Sequence, residues 1–132
     1  MKPGARAVEA ARRALGARFR LHGRDPATGL DCVGLAALAL RAEGFAGEVP
    51  SGYALRRSDI GKIVRQLAGS ELTRCYDSRP GDLLLCAVDA GQLHMAIASE
   101  TGIIHADAML RRVVERPGEV PWPVLGRWRV QS

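Results

Sequence analysis

The chain has 132 residues, 47% hydrophobic and 25% charged, which fits one globular domain spanning 1–132 and excludes a disordered chain. Its net charge is +5, but the longest basic runs are the pairs Arg12-Arg13, Arg56-Arg57 and Arg111-Arg112, with no interleaved aromatics, so no nucleic-acid partner is expected. Three cysteines without C-x-x-C spacing argue against a disulfide framework and a Cys-rich zinc site.

The N-terminus, Met1 to Ala10, has charges where a secretory signal needs an apolar stretch, and no run reaches transmembrane length. The expectation is synthesis in the cytoplasm without a signal peptide and no membrane span. The mild positive field suits an acidic substrate or a polyanionic envelope. With few aromatic residues, Leu, Val, Ile and Ala must build the core.

In chain order, residues 6–15 read as a short amphipathic helix with Val8, Ala11 and Leu15 on one face, closed by Gly16. Residues 17–29 are irregular, with Asp25-Pro26 as a turn signal. Asp31 is a plausible N-cap for a helix over 32–43 whose apolar residues lie all round, so most of it should be buried. Gly44 then falls where a C′ residue adopts positive φ. After a loop containing Tyr53, Ser58 should cap a second helix in which Ile60, Ile63, Val64 and Leu67 form the apolar stripe and Gly69 the end.

Residues 72–76 are a candidate short strand. Beyond Arg79-Pro80-Gly81 the period changes to that of strands: 82–88, a turn at 89–92, 93–99, a turn at Glu100-Thr101, 103–106, 111–116 and 125–130. Helices first and an antiparallel meander after give an α+β class with a sheet of about five strands.

The stretch Asp31-Cys32-Val33-Gly34-Leu35 puts one cysteine at a helix start. There the helix dipole should lower the thiol pKa, and first-turn amides can donate to an oxyanion. The alternative is a small buried residue in an Ala-rich helix. A base must come from elsewhere. If Glu100-Thr101 is a two-residue turn, Ser99 pairs with Gly102, His94 lies opposite Asp107, and His105 opposite Ala96. His94 and His105 then share a face as diagonal neighbours roughly 7–8 Å apart at the backbone, close enough for one imidazole to orient the other. A Cys32–His94–His105 metal site is the weaker reading, because no further acidic residue or cysteine has convincing spacing; no cofactor or metal is expected. His22 reads either as a surface-loop residue or as part of a substrate cleft. Cys86 belongs to the core, and Cys75 has no visible partner.

Four motifs occur in an order and spacing that resemble the NlpC family of papain-like cysteine peptidases, which hydrolyse peptidoglycan stem peptides: Asp31-Cys32-Val33-Gly34-Leu35, Pro80-Gly81-Asp82-Leu83, His94-Met95-Ala96-Ile97 and Ile104-His105-Ala106. The resemblance implies a nucleophile helix packed on an antiparallel sheet, Cys32 as nucleophile, His94 as base and His105 as the residue orienting His94. It also implies a peptidoglycan peptide as substrate and action on the cell wall. Where the family has Tyr-x-Trp-Gly-Gly, this chain has Phe19-Arg20-Leu21-His22-Gly23, a variant similar to phage-type or gene-transfer-agent peptidases that associate with tail proteins. Phe19, Arg20, His22, Asp31 and Tyr53 are the expected substrate contacts. Two other readings use the same fold: a non-catalytic tail-associated module, and an amidase or acyltransferase with the same triad.

Overall fold

The computed structural model describes residues 2–49 and 55–131. Tyr53 lies outside them.

The first helix, α1 (Ala5–Arg13), buries Ala7, Val8 and Ala11 and packs on α2 (Cys32–Ala42). Small side chains on both helices permit this close approach. The Ala7 amide also donates to Glu43 Oε1 at the far end of α2, 3.0 Å away. As expected, α2 is buried nearly all round, Asp31 caps it, and Gly44 follows it at φ +103°.

The third helix, α3 (Ile60–Ala68), buries Ile63 and Leu67. Ser58 does not cap it. A 3-10 turn over Arg57–Asp59 absorbs Ser58, and no side chain caps α3. The turn redirects the chain where the sequence pattern suggested a simple helix start.

Between the first two helices, β1 (Arg24–Asp25) and β2 (Gly29–Leu30) form a small hairpin. The main sheet holds β3 (Leu72–Cys75), β4 (Leu83–Ala87), β5 (Leu93–Ala98), β6 (Gly102–Asp107), β7 (Arg112–Pro117) and β8 (Val124–Val130). Six strands lie in the order β3-β8-β4-β5-β6-β7, all antiparallel. The expected count of about five is one short, because the candidate strand after α3 pairs fully with β8.

The period of two along β5 and β6 sorts their side chains. Leu93, Met95, Ile97, Ile104 and Ala106 face the helices and join the main core. Ala96, Ala98 and Ile103 face the other way, with Leu84 and Cys86, and are covered by Val120, Trp122 and Val124. The register between β5 and β6 is the expected one: Ile97 pairs with Ile104 and Ala98 with Ile103. These two pairs end the ladder, so β5 and β6 part towards the open end where His94 begins.

One ion pair anchors β8 to the start of β4. Asp82, 1% exposed, receives Arg129 Nε and Nη2 in a two-pronged contact, each 2.9 Å, and the Arg79 amide at 2.9 Å. Asp82→Ala leaves Arg129 only the exposed Asp77 (Nη2–Oδ1 3.0 Å) and frees the Arg79 amide, so urea unfolding should show a loss of about 1.5–3 kcal/mol; a loss under about 0.5 kcal/mol would show that the pair contributes little.

Candidate active site

Cys32 is the first residue of α2 and is held there by Asp31. The Asp31 carboxylate accepts from the Gly34 amide (2.8 Å), the His22 amide (2.8 Å) and Arg24 Nη1 (2.8 Å). It therefore caps the helix and also ties the Phe19–Arg24 loop to the helix start. His22 meets this bond with φ +62°, an uncommon backbone state for a residue with a side chain. Gly34 is required at its position: a Cβ there would stand 2.0 Å from the Gly23 carbonyl oxygen, so any side chain would push the loop away.

Cys32 and His94 line one cavity of about 510 Å³, together with Phe19, His22, Arg24 and Asp31. Its remaining walls include Leu21, Leu55, Gln92, Leu93 and Ala106. Of the sequence-derived substrate contacts, Phe19, His22 and Asp31 are thus brought to the cysteine. Arg20 is not. It lines a separate cavity with Arg18, Pro26 and Thr28, because alternate side chains of this extended segment point to opposite sides. Arg24 lies in the cleft, paired to Asp31.

The two histidines meet on the sheet face turned away from α2. His94 Nε2 lies 2.9 Å from His105 Nδ1, with the rings perpendicular and their centroids 5.1 Å apart. His105 is 3% exposed, and its other nitrogen, Nε2, is buried with no hydrogen-bond partner among the described residues. The bond occupies Nε2 of His94 and leaves its Nδ1 for another group.

Burial dominates the electrostatics. It pushes the Cys32 thiol up to about 12, opposed by the backbone amides of Met95, Val33 and Cys32, while the Asp31 charge adds to the rise. The expectation of a thiol lowered by the helix N-terminus is therefore overturned: the cap forms, but desolvation outweighs the dipole and the capping carboxylate has the wrong sign. Burial likewise takes His94 down to about 4, helped by His105 and opposed by Asp107. His105 is also lowered, first by burial. At neutral pH the Cys32 thiol and both imidazoles are therefore uncharged.

Sequence reasoning missed Trp122, which stands edge-on to both His94 and His105 with centroids 5.2 Å away in each case. Its setting, Pro121-Trp122-Pro123, was a usable signal: two prolines stiffen a segment that carries one large ring. It also missed the Arg24–Asp31 pair. The three cysteines are free, Cys86 being fully buried as expected. Among the described residues no three His, Cys, Asp or Glu side chains cluster to hold a metal ion, and no helix is long and apolar enough to cross a membrane.

No family model matches the chain, and no curated protein matches it. Solved structures do. The NlpC/p60 domain of the peptidoglycan hydrolase SagA is 21% identical, with 98% of each chain covered and a TM-score of 0.60. NlpC1 from Trichomonas vaginalis is 21% identical with a TM-score of 0.71; the match covers 97% of this chain and 45% of that one. The P60 domain of an antigen from M. avium subspecies paratuberculosis is 20% identical, covers 96% of both chains and has a TM-score of 0.56. At this identity the likeness is one of fold, and the fold is that of NlpC/p60 domains.

Proposed function

We propose that this chain is a cysteine peptidase of the NlpC type, hydrolysing an amide bond in peptidoglycan stem peptides. One observation carries the reading: the cavity that holds Cys32 also holds His94, whose far nitrogen is hydrogen-bonded to His105. The fold shared with a domain of the peptidoglycan hydrolase SagA supports the substrate class.

In this reading Cys32 is the nucleophile and His94 the base, while His105 positions the His94 ring. The tautomers follow from the hydrogen bond. For His94 Nδ1 to accept the thiol proton, its Nε2 must carry hydrogen and donate it to His105 Nδ1. The hydrogen of His105 then sits on the buried Nε2. Because thiol and imidazole both rest neutral, the proton moves as sulfur attacks, rather than beforehand. The S–H proton goes to His94 Nδ1, the C–S bond forms, and the carbonyl pair moves onto oxygen. First-turn amides of α2, that of Cys32 foremost, hold this oxyanion. Collapse breaks the C–N bond, and the amine leaves with the His94 proton. Water, deprotonated by His94, then releases the acyl group and restores the thiol.

The substrate would lie against Phe19, Leu21 and His22, with Tyr53 as a further contact. Arg20, on the far side of that segment, does not face this cleft, and Arg24 lies in it with its guanidinium already paired to Asp31. The tail-associated setting that the Phe19–Arg24 variant resembles belongs to the same proposal, with delivery to the wall by a particle protein.

A non-catalytic module is favoured by one observation, the near-complete burial of Cys32 at 8% exposure. Digesting purified sacculi and identifying the products by mass spectrometry separates the readings. New stem-peptide termini support hydrolysis; intact peptides after prolonged digestion reject it. An amidase or acyltransferase with the same triad would instead modify a small amide or lipid and leave the sacculi whole.

A further inference from the structure

We infer that Trp122 is a positioning residue, shielding the His105 side of the His94–His105 hydrogen bond from water and holding the two rings in register. The inference rests on the peptidase reading for its consequence in catalysis, but not for its physical content.

The two histidines lie on the sheet face away from α2, where ordinary sheet packing offers His94 only Ala96 and Ala98 as same-face neighbours along its strand. These are too small to cover an imidazole pair. The segment between β7 and β8 supplies the cover. It runs across this face and packs Val120, Trp122 and Val124 against Leu84, Cys86, Ala96, Ala98 and Ile103. Trp122 reaches both imidazoles, at 81° to His94 and 78° to His105. His94 and His105 are themselves at 88°, so the three rings stand mutually edge-on. Each ring blocks rotation of the other two. A perpendicular contact also presents a positive ring edge to a negative ring face, the favoured aromatic arrangement.

The consequence is a hydrogen bond shielded on its His105 side: His105 is buried, while His94 is half-buried and opens to the cleft. His105 Nε2 has no partner among the described residues, a state that access of water would relieve. With water kept from the His105 side, the His94–His105 bond is stronger and its direction is kept. Desolvation is also the first cause of the lowered pKa of both rings. The other charged or titratable groups around the pair are Asp107 on β6, Arg116 on β7, Cys86 paired with His94 on β4, Arg127 on β8 acting on Cys86, and Asp31, Cys32, His22 and Arg24 in the cleft. Asp107 raises the pKa of His94, so the seal works against it rather than with it.

The first test uses the native chain. In the ¹⁵N-labelled protein at pH 7, a ring N–H proton from the histidine pair should be visible by NMR, protected from exchange with water. A resonance broadened away by exchange overturns the seal. The second test replaces the ring. In Trp122→Ala the His94 pKa should rise from about 4 towards the ordinary 6.5. If it reaches about 6, the ratio of activity at pH 5 to that at pH 7.5 falls about tenfold, because the imidazole is then mostly protonated at pH 5. Trp122→Phe, which keeps a ring edge, should retain most of the native ratio. A Trp122 that only stabilises the fold would lower activity equally at both pH values and leave the histidine titration unmoved, and that result overturns the proposal. Should Trp122→Ala unfold, Trp122→Gln admits water with less loss of bulk, and the same titration decides. If sacculi are not cleaved at all, the peptidase reading fails while exchange and titration still decide the part of Trp122.

Discussion

Cys32→Ala should abolish release of peptides from purified sacculi, by about 10⁴-fold or more, and leave the fold standing. Loss of the nucleophile of a thiol or serine hydrolase removes the covalent route entirely and leaves only binding and the oxyanion donors. The structure makes this a clean variant. Cys32 sits on an Ala-rich helix, is 8% exposed, and bridges to no other cysteine. Removing one sulfur from that position costs about 1 kcal/mol of packing. The cap at Asp31 uses the Gly34 amide and is independent of the Cys32 side chain. The circular dichroism spectrum should therefore match the native chain, with the unfolding curve shifted by no more than about 1 kcal/mol. Full activity in Cys32→Ala would end the peptidase reading.

His94→Ala should be nearly as severe, lowering turnover by about 10³–10⁴-fold at pH 7.5. Burial pushes the Cys32 thiol up to about 12, so almost no thiolate is present at neutral pH without help. His94 shares its cavity and is the base in the proposed reading. The double variant Cys32→Ala/His94→Ala should be no worse than Cys32→Ala alone, since the two act as one unit. His105→Ala should cost less, about 10²-fold, because in the proposed reading it acts only through its hydrogen bond to His94. A His94→Ala variant that keeps more than about a tenth of native turnover would assign the base elsewhere.

What the sequence made legible was local. The cap at Asp31, the positive φ at Gly44 and the β5–β6 register each depend on a few neighbouring residues, and each appears in the structure. The register mattered most, since a two-residue turn at Glu100-Thr101 was enough to put both histidines on one face. What stayed hidden depends on contacts between distant segments. Trp122 reaches the histidines from a segment beyond β7, and no periodicity reports that. Arg24 meets Asp31 only because the β1–β2 hairpin folds back. The thiol is raised rather than lowered because burial is a property of the whole packed core, while a dipole can be read from a helix start. Ser58 had the right chemistry for a cap and failed because the turn before α3 tightened around it.

The three bonds received by Asp31 have a consequence for anyone redesigning this cleft. A loop graft over 19–24 would remove the Arg24 cation and re-aim the amide at position 22, disturbing two of the three donors at once. The surviving bond, from Gly34, would leave one carboxylate oxygen without a partner, and the start of the cysteine helix would loosen together with the new loop. A transplanted segment therefore has to bring its own amide and its own cation to that carboxylate. By the same reasoning, positions 24 and 31 are tied through their side chains, whereas position 22 gives only its backbone amide and accepts any residue that keeps that amide aimed at Asp31.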